Sequence, residues 1–361
     1  MINIGLLKFT EHYVERIWGG ERLRALYDKA TPTGVPIGEA WLIADHMQHV
    51  SVVADGPEAG RTLRDMLEQD AGRILGTRVR LTIHGRFPLL LKLLDAGDKL
   101  SVQVHPDDRD AQRLNERDAG KTEMWYVLHG EDRSELYCGV SSAVTRERFA
   151  EAVEDGTVAD LITRIPAREG TAVLVPAGTV HAIGGGCLLA EIQQNSDITY
   201  RIDDWGRVQS DGSPRKLHVD RALEVTNFGS RHAGAAKPLA YTSGSSEVSV
   251  LAACKYFAAE SVRVTGRYTC DTRGETFTLL LGTSGTLRVS GNDDFRELKP
   301  ACALMVPGSV TEFTVEGEGS LLKYFVPDLD RDIMRPLLRA GHPREAIIAL
   351  GGDPRVSDLA H

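Results

Sequence analysis

One short pattern occurs twice in this chain. Glu123-Met-Trp-Tyr-Val-Leu-His-Gly130 and Glu275-Thr-Phe-Thr-Leu-Leu-Leu-Gly282 both read Glu, six residues, Gly. Later, Pro176-Ala-Gly-Thr-Val-His181 and Pro307-Gly-Ser-Val-Thr-Glu312 each follow an apolar run. Strand, glycine turn, strand, proline turn therefore come in the same order in both halves, which predicts two related β-barrels. The rest of the sequence agrees. In 361 residues, 36 glycines and 15 prolines punctuate short runs rich in Val, Leu, Ile, Thr, Phe and Tyr, a pattern of strands and turns. Strands are predicted at 88–95, 99–105, 123–128, 171–175, 187–193, 276–281 and 303–306. Helical periodicity is confined to 62–75, to a block over 144–153 and 158–165, and to a tail over 331–338 and 344–350.

The expected organisation is a catalytic domain over 1–230 with a helical insertion at about 107–165, a linker over 231–247, a second barrel over 248–326 and a helical tail over 327–361. The block over 144–165 is expected to wall a cleft. Charge narrows the function. A net charge of -9 suits neither nucleic acid nor an anionic membrane. An anionic ligand therefore needs local Lys or Arg. No apolar run reaches the ~18–20 residues of a membrane span. The first residues have no apolar leader, and five scattered cysteines without a CxxC pair read as reduced thiols, so a cytoplasmic location is expected.

The first copy carries chemistry. Along 99–105, strand alternation places Leu100, Val102 and Val104 on one face and Ser101, Gln103 and His105 on the other. Pro106 ends the strand. Glu123 opens the next strand with Trp125 and Val127 on its face, and His181 follows a Pro-x-Gly turn. Imidazole, carboxylate and amide oxygen suit zinc or a similar divalent ion. The other histidines lack such support. In the second copy, Phe277 stands two residues after Glu275 and Glu312 takes the place of His181, so no metal is expected there.

These residues carry a resemblance. Gly97-x5-Gln103-x-His105 with Glu123-x6-Gly130 resembles the first cupin motif, with Gln for its first His and 17 residues (106–122) before the Glu. Gly170-x5-Pro176-x-Gly178-x2-His181 resembles the second, although Gly185 stands where many cupins have Asn. More specifically, Ser-Val-Gln-Val-His-Pro-Asp-Asp (101–108), Gly-Lys-Thr-Glu-Met-Trp-Tyr (120–126) and Pro-Ala-Gly-Thr-Val-His-Ala (176–182) resemble the type I phosphomannose isomerases. So do Glu-Ile-Gln-Gln-Asn-Ser-Asp-Ile-Thr-Tyr-Arg (191–201), Asp204-Trp-Gly-Arg207, Ile17-Trp-Gly-Gly20 and Gly38-Glu-Ala-Trp41.

The resemblance implies a mainly β fold of two cupin-type jelly-roll barrels. It implies interconversion of mannose 6-phosphate and fructose 6-phosphate through a metal-stabilised cis-enediol. It implies one Zn2+ per chain in the first barrel, on Gln103, His105, Glu123 and His181. Arg201 falls on the family's essential arginine, and Lys121, Glu191 and Asp197 on its cleft. The residues suit these roles. Glu191, on an apolar strand, is a candidate base, and Lys121 and His105 are others. Arg201, Lys121 and Ser101 are candidates to hold phosphate, with Asp197 beside them. The expected partner is a small sugar phosphate, and the expected state a monomer or weak homodimer. Other readings are another metal-dependent cupin, whether a sugar-phosphate isomerase or an iron oxygenase, and a non-catalytic sugar-binding cupin.

Overall fold

The structure is a computed structural model that describes residues 4–209, 211–230 and 234–360. It is mainly β, with 39% strand and 19% helix. Two compact units divide it: a central unit of residues 13–40 and 92–236, and a terminal unit of the described residues within 1–12, 41–91 and 237–361. This differs from the linear order expected above, because residues 41–91 group with the C-terminal part.

The strands of the first two sheets are β1 (His12–Gly20), β2 (Ile37–Ile43), β3 (Leu89–Ala96), β4 (Val102–Val104), β5 (Glu123–Gly130), β6 (Glu135–Val140), β7 (Ile162–Pro166), β8 (Ala172–Val175), β9 (His181–Ile183), β10 (Cys187–Gln194) and β11 (Tyr200–Asp203). One sheet runs in the order β1-β2-β3-β10-β5-β8, the other β11-β4-β9-β6-β7. Side chains of both sheets, among them Trp125, Val127, Leu136, Cys138, Ile183 and Leu189, form one core. That is the double-sheet arrangement of a jelly roll.

The terminal unit holds an eight-stranded sheet. Its strands are β12 (Leu239–Ser243), β13 (Ser246–Ala253), β14 (Ala258–Asp271), β15 (Thr278–Ser284), β16 (Leu287–Gly291), β17 (Asp294–Leu298), β18 (Ala303–Val306) and β19 (Glu312–Phe325). Val262, Val264, Leu280, Leu304 and Val315 are among its core residues.

The repeated glycines have a structural cause. A Cβ on Gly130 would lie 1.7 Å from the Ala167 carbonyl oxygen, and one on Gly282 would lie 2.3 Å from that of Lys299. At both glycines another backbone crosses too closely for any side chain, at the end of β5 and within β15.

Helix Leu63–Leu75 forms where periodicity placed it, with a capping box between Thr62 and Asp65. The 107–165 segment is not a helical insertion. Helices Asp108–Arg113 and Arg146–Glu154 flank two strands, β5 and β6, and 158–165 divides into a 3-10 turn at Val158–Leu161 and the start of β7. Val158 and Ile162 are buried at the spacing of a helix, but pairing of β7 with β6 claims the backbone. Within 231–247, residues 231–233, including His232, lie outside the described residues, and β12 is a strand. Its residues alternate between half-buried and exposed, with Leu239 and Tyr241 packed against the core. The tail over 329–360 consists of short helical turns. Among the described residues no helix is long and apolar enough to cross a membrane. No disulfide links the five cysteines.

Candidate active site

The predicted ligands converge in the central unit. Gln103 of β4 pairs across the sheet with His181 of β9. The strand is shorter than expected, and Ser101 and His105 flank it rather than belong to it. The turn before β9 has Gly178 at a φ of 81°, a backbone conformation that favours glycine. The Gly178 amide donates to the His105 carbonyl at 2.8 Å, tying the end of β4 to that turn. Glu123 opens β5, 3.5 Å from His105 Nε2 through Oε2 and 3.4 Å from His181 Nε2 through Oε1.

The hydrogen bonds define the ligand atoms. His105 Nδ1 lies 2.6 Å from the Ile198 carbonyl oxygen and His181 Nδ1 2.8 Å from that of Thr179. A carbonyl only accepts, so each Nδ1 carries the proton and each Nε2 presents a lone pair towards Glu123. Burial holds both rings neutral, His105 well below its ordinary value and His181 at about 4, with the Lys121 charge acting in the same sense.

Lys121 Nζ pairs with Glu123 Oε2 at 2.8 Å, while the buried Oε1 has no hydrogen-bond donor. Lone pairs packed together in a dry site call for a cation. Ligands on a tetrahedral zinc at about 2.0–2.1 Å stand roughly 3.3–3.4 Å apart, near the spacings found here. The Gln103 amide is 3.2 Å from His181 Nε2. Its Oε1, now accepting from Ser101 Oγ at 3.2 Å, is the atom it would offer to the ion. The residues fit a divalent metal.

Gln103 and Lys121 also line a cleft of about 380 Å³, with Ser101, Glu191, Asp197 and Arg201. Glu191 sits on β10 opposite Trp125 of β5, and Trp125 Nε1 donates to Glu191 Oε2 at 3.0 Å. Burial and the Glu123 charge push the Glu191 carboxyl up to about 7. Lys121 is also buried. That disfavours its ammonium, but the Glu123, Glu191 and Asp197 carboxylates outweigh burial and hold its pKa above the ordinary value. Lys121 Nζ is 3.3 Å from His105 Nε2.

Arg201 makes no ion pair with Asp203 or Asp204. Asp204 is taken by Arg207 at 2.6 Å and by Arg215 Nε at 2.7 Å. Arg201 donates from Nη1 to the Lys216 carbonyl at 2.9 Å, and its buried Nε has no partner. Burial and the Arg215 charge lower its pKa, so an anion placed against it gains directly.

Four cleft residues escaped the sequence reading. Lys92 pairs with Glu39 at 3.3 Å and Asp197 at 3.7 Å, Arg16 pairs with Glu39 at 2.6 Å, and Arg215 completes the wall. Lys92 had a signal, one lysine inside the apolar run Leu-Leu-Leu-Lys-Leu-Leu. The block over 144–165 contributes nothing to the cleft. Its Phe149, Ala152 and Val158 instead pack with Val102, Val104 and Val140, on the other side of the five-stranded sheet.

A double-sheet β-fold with a buried His105, Glu123 and His181 cluster that could hold a metal ion, next to a cleft lined by Gln103, Lys121 and Arg201, defines a protein of cupin type. Comparisons narrow the class. The profile described as "Phosphomannose isomerase type I, catalytic domain" matches residues 6–151. The chain is 38% identical over 311 residues to the "Probable mannose-6-phosphate isomerase GmuF" of Bacillus subtilis, covering 84% of this chain and 94% of that protein. It is 32% identical to the mannose-6-phosphate isomerase of Streptococcus mutans, covering 84% and 93%. The crystal structure of the mannose 6-phosphate isomerase from Bacillus subtilis superposes with a TM-score of 0.81 at 30% identity, covering 89% of this chain and 99% of that one. This chain belongs to the type I phosphomannose isomerase family.

Proposed function

We propose that the chain interconverts mannose 6-phosphate and fructose 6-phosphate, with one zinc ion held by Gln103, His105, Glu123 and His181. The observation that carries this reading is the buried cluster of His105, Glu123 and His181, whose carboxylate is set between two Nε2 lone pairs beside the cleft. When bound, a divalent ion supplies Lewis-acid stabilisation of the oxyanion that develops as a proton leaves the carbon next to a carbonyl.

The chain's own groups supply the rest. Both nitrogens of His105 are committed, one to Ile198 and one to the ligand cluster, which removes it as a base. Lys121 is held as ammonium and serves as an acid or a fixed positive charge. Glu191, near neutral in pKa and fixed by the Trp125 N–H, is then the group that takes the proton from one carbon and returns it to its neighbour. Arg201 offers the phosphate a guanidinium without a carboxylate partner, and Ser101 a hydroxyl. Asp197 holds the Lys92 ammonium at the wall.

The test is a coupled assay of purified protein with mannose 6-phosphate, before chelation, after it, and after zinc is restored. Activity should vanish and return. No turnover with zinc restored overturns the isomerase reading, and turnover unchanged by complete metal removal overturns the metal's role.

A further inference from the structure

The terminal unit carries a second cavity, open to solvent and of about 280 Å³, lined in part by β14 and β19. On its wall, Glu260 of β14 and Lys323 of β19 stand directly opposite each other. Lys323 Nζ lies 2.6 Å from Glu260 Oε2 and donates to Tyr268 Oη at 3.1 Å. All three side chains are buried, Glu260 at 1% exposure. Glu260 Oε1 has no partner. A buried charge pair with an unused acceptor is a poor device for stability, since apolar residues of similar volume pack there at least as well. A single water would satisfy that oxygen, but one water needs only ~10–15 Å³ of such space, a small part of the cavity.

The lining states the ligand chemistry. Glu260 Oε1 accepts, while the Tyr268 hydroxyl, which accepts from Lys323, can donate its own hydrogen, so neighbouring hydroxyl groups of one ligand find both partners on one wall. Tyr241, Tyr268 and Phe325 add apolar faces. Arg78, Arg273, Arg331 and Arg339 also line the cavity, making five cations with Lys323 against three carboxylates, Glu260, Asp271 and Asp332. Arg331 is engaged by Glu275 and Arg273 by Asp332. The exposed Arg339 makes no ion pair among the described residues. A metal is a poor occupant, because no histidine lines the cavity and Glu312 is exposed. At the small end of the ~300–1,000 Å³ of typical ligand sites, the volume suits one monosaccharide-sized molecule.

We propose that this cavity binds a phosphorylated sugar or polyol, its hydroxyls on Glu260 and Tyr268 and its phosphate on Arg339 and the neighbouring arginines. The site is separate from the metal cluster and does not depend on the isomerase reading.

The test is equilibrium dialysis of the full, metal-loaded chain against radiolabelled glucitol 6-phosphate, which lacks a carbonyl and cannot be isomerised. Two equivalents should bind. Arg201→Ala should remove one. Glu260→Gln, which keeps shape, and the surface change Arg339→Ala should each weaken the other at least tenfold. If Glu260→Gln fails to fold, Arg339→Ala alone decides. A single equivalent that Arg201→Ala abolishes overturns the proposal. So does a second equivalent indifferent to Arg339→Ala, or one that inorganic phosphate displaces at equal concentration, since phosphate alone would then account for it. An inactive chain that still binds probe in an Arg339-dependent manner refutes the isomerase reading and supports this one.

Discussion

Replacing Glu191 by Gln tests the proposed base by its thermodynamics before its kinetics. In the fold, burial and Glu123 push this carboxyl from an ordinary 4.5 to about 7. Below about pH 4.5 both folded and unfolded chains hold the proton, and Glu191 is neutral for stability. As pH rises, the unfolded chain releases the proton first, and the folded metal-free chain loses stability until its own carboxyl ionises. The difference of about 2.5 pK units at 1.36 kcal/mol each amounts to about 3 kcal/mol. His181 acts oppositely. It is neutral in the fold down to about 4 against an ordinary 6.5, so it adds stability as pH rises through that interval. It does so in both proteins and cancels in their comparison. Relative to wild type, metal-free Glu191→Gln should therefore gain about 3 kcal/mol between roughly pH 4.5 and pH 8. Urea unfolding read by tryptophan fluorescence measures this in the right place, because Trp18, Trp125 and Trp205 lie in the central unit and only Trp41 in the other. Restoring the divalent ion adds positive charge near the carboxylate and should flatten the wild-type dependence. In the same variant kcat should fall by about 10²–10⁴ with the metal retained. Two pH profiles that run parallel would show that Glu191 is an ordinary carboxyl, and the argument for it as base would fail.

Zinc at about 100 times its Kd should raise the stability of the wild-type chain by about 2.7 kcal/mol, and Glu123→Gln should abolish that increment. Thermal melts with and without the ion measure it, and an equal gain in both proteins removes Glu123 from the ligand set. In the terminal unit, Phe277 is fully buried with its ring centroid 4.5 Å from that of Phe87. Phe277→Ala should lower stability by about 3–5 kcal/mol in urea titration, and a loss below about 1 kcal/mol would mean the site collapses around the deletion.

The ligand cluster was legible because local rules fix it. Strand alternation puts Ser101, Gln103 and His105 on one side, and a proline turn of set length delivers His181. Even where the strand proved only three residues long, the side chains kept the directions that alternation gives. The polar wall was less legible. Arg16, Glu39, Lys92 and Arg215 come from four separated segments whose spacings carry no mutual constraint, and only tertiary pairing makes them neighbours. Helical periodicity misled over 158–165, since Val158 and Ile162 are buried by a sheet edge as readily as by a helix face. The expected linker failed for the opposite reason. A five-residue edge strand whose inner face is only the half-buried Leu239, Tyr241 and Ser243 shows too short an alternation among small and polar neighbours, so β12 read as irregular chain.

The internal repeat separates two kinds of requirement. Gly130 and Gly282 recur because backbone crosses backbone at both places, and no side chain fits whatever the barrel contains. The turn prolines recur for a similar reason, ending strands that the architecture must end. Nothing in that geometry specifies what faces the interior. In the central unit the interior holds lone pairs, with His105, Glu123 and His181 arranged for a cation. In the terminal unit the cavity is lined without a histidine, and Lys323 against Glu260 faces it instead. Matching backbone signals can thus mark a shared fold while the side chains that face each interior decide what it admits. Those side chains, unlike the fold, have to be read residue by residue.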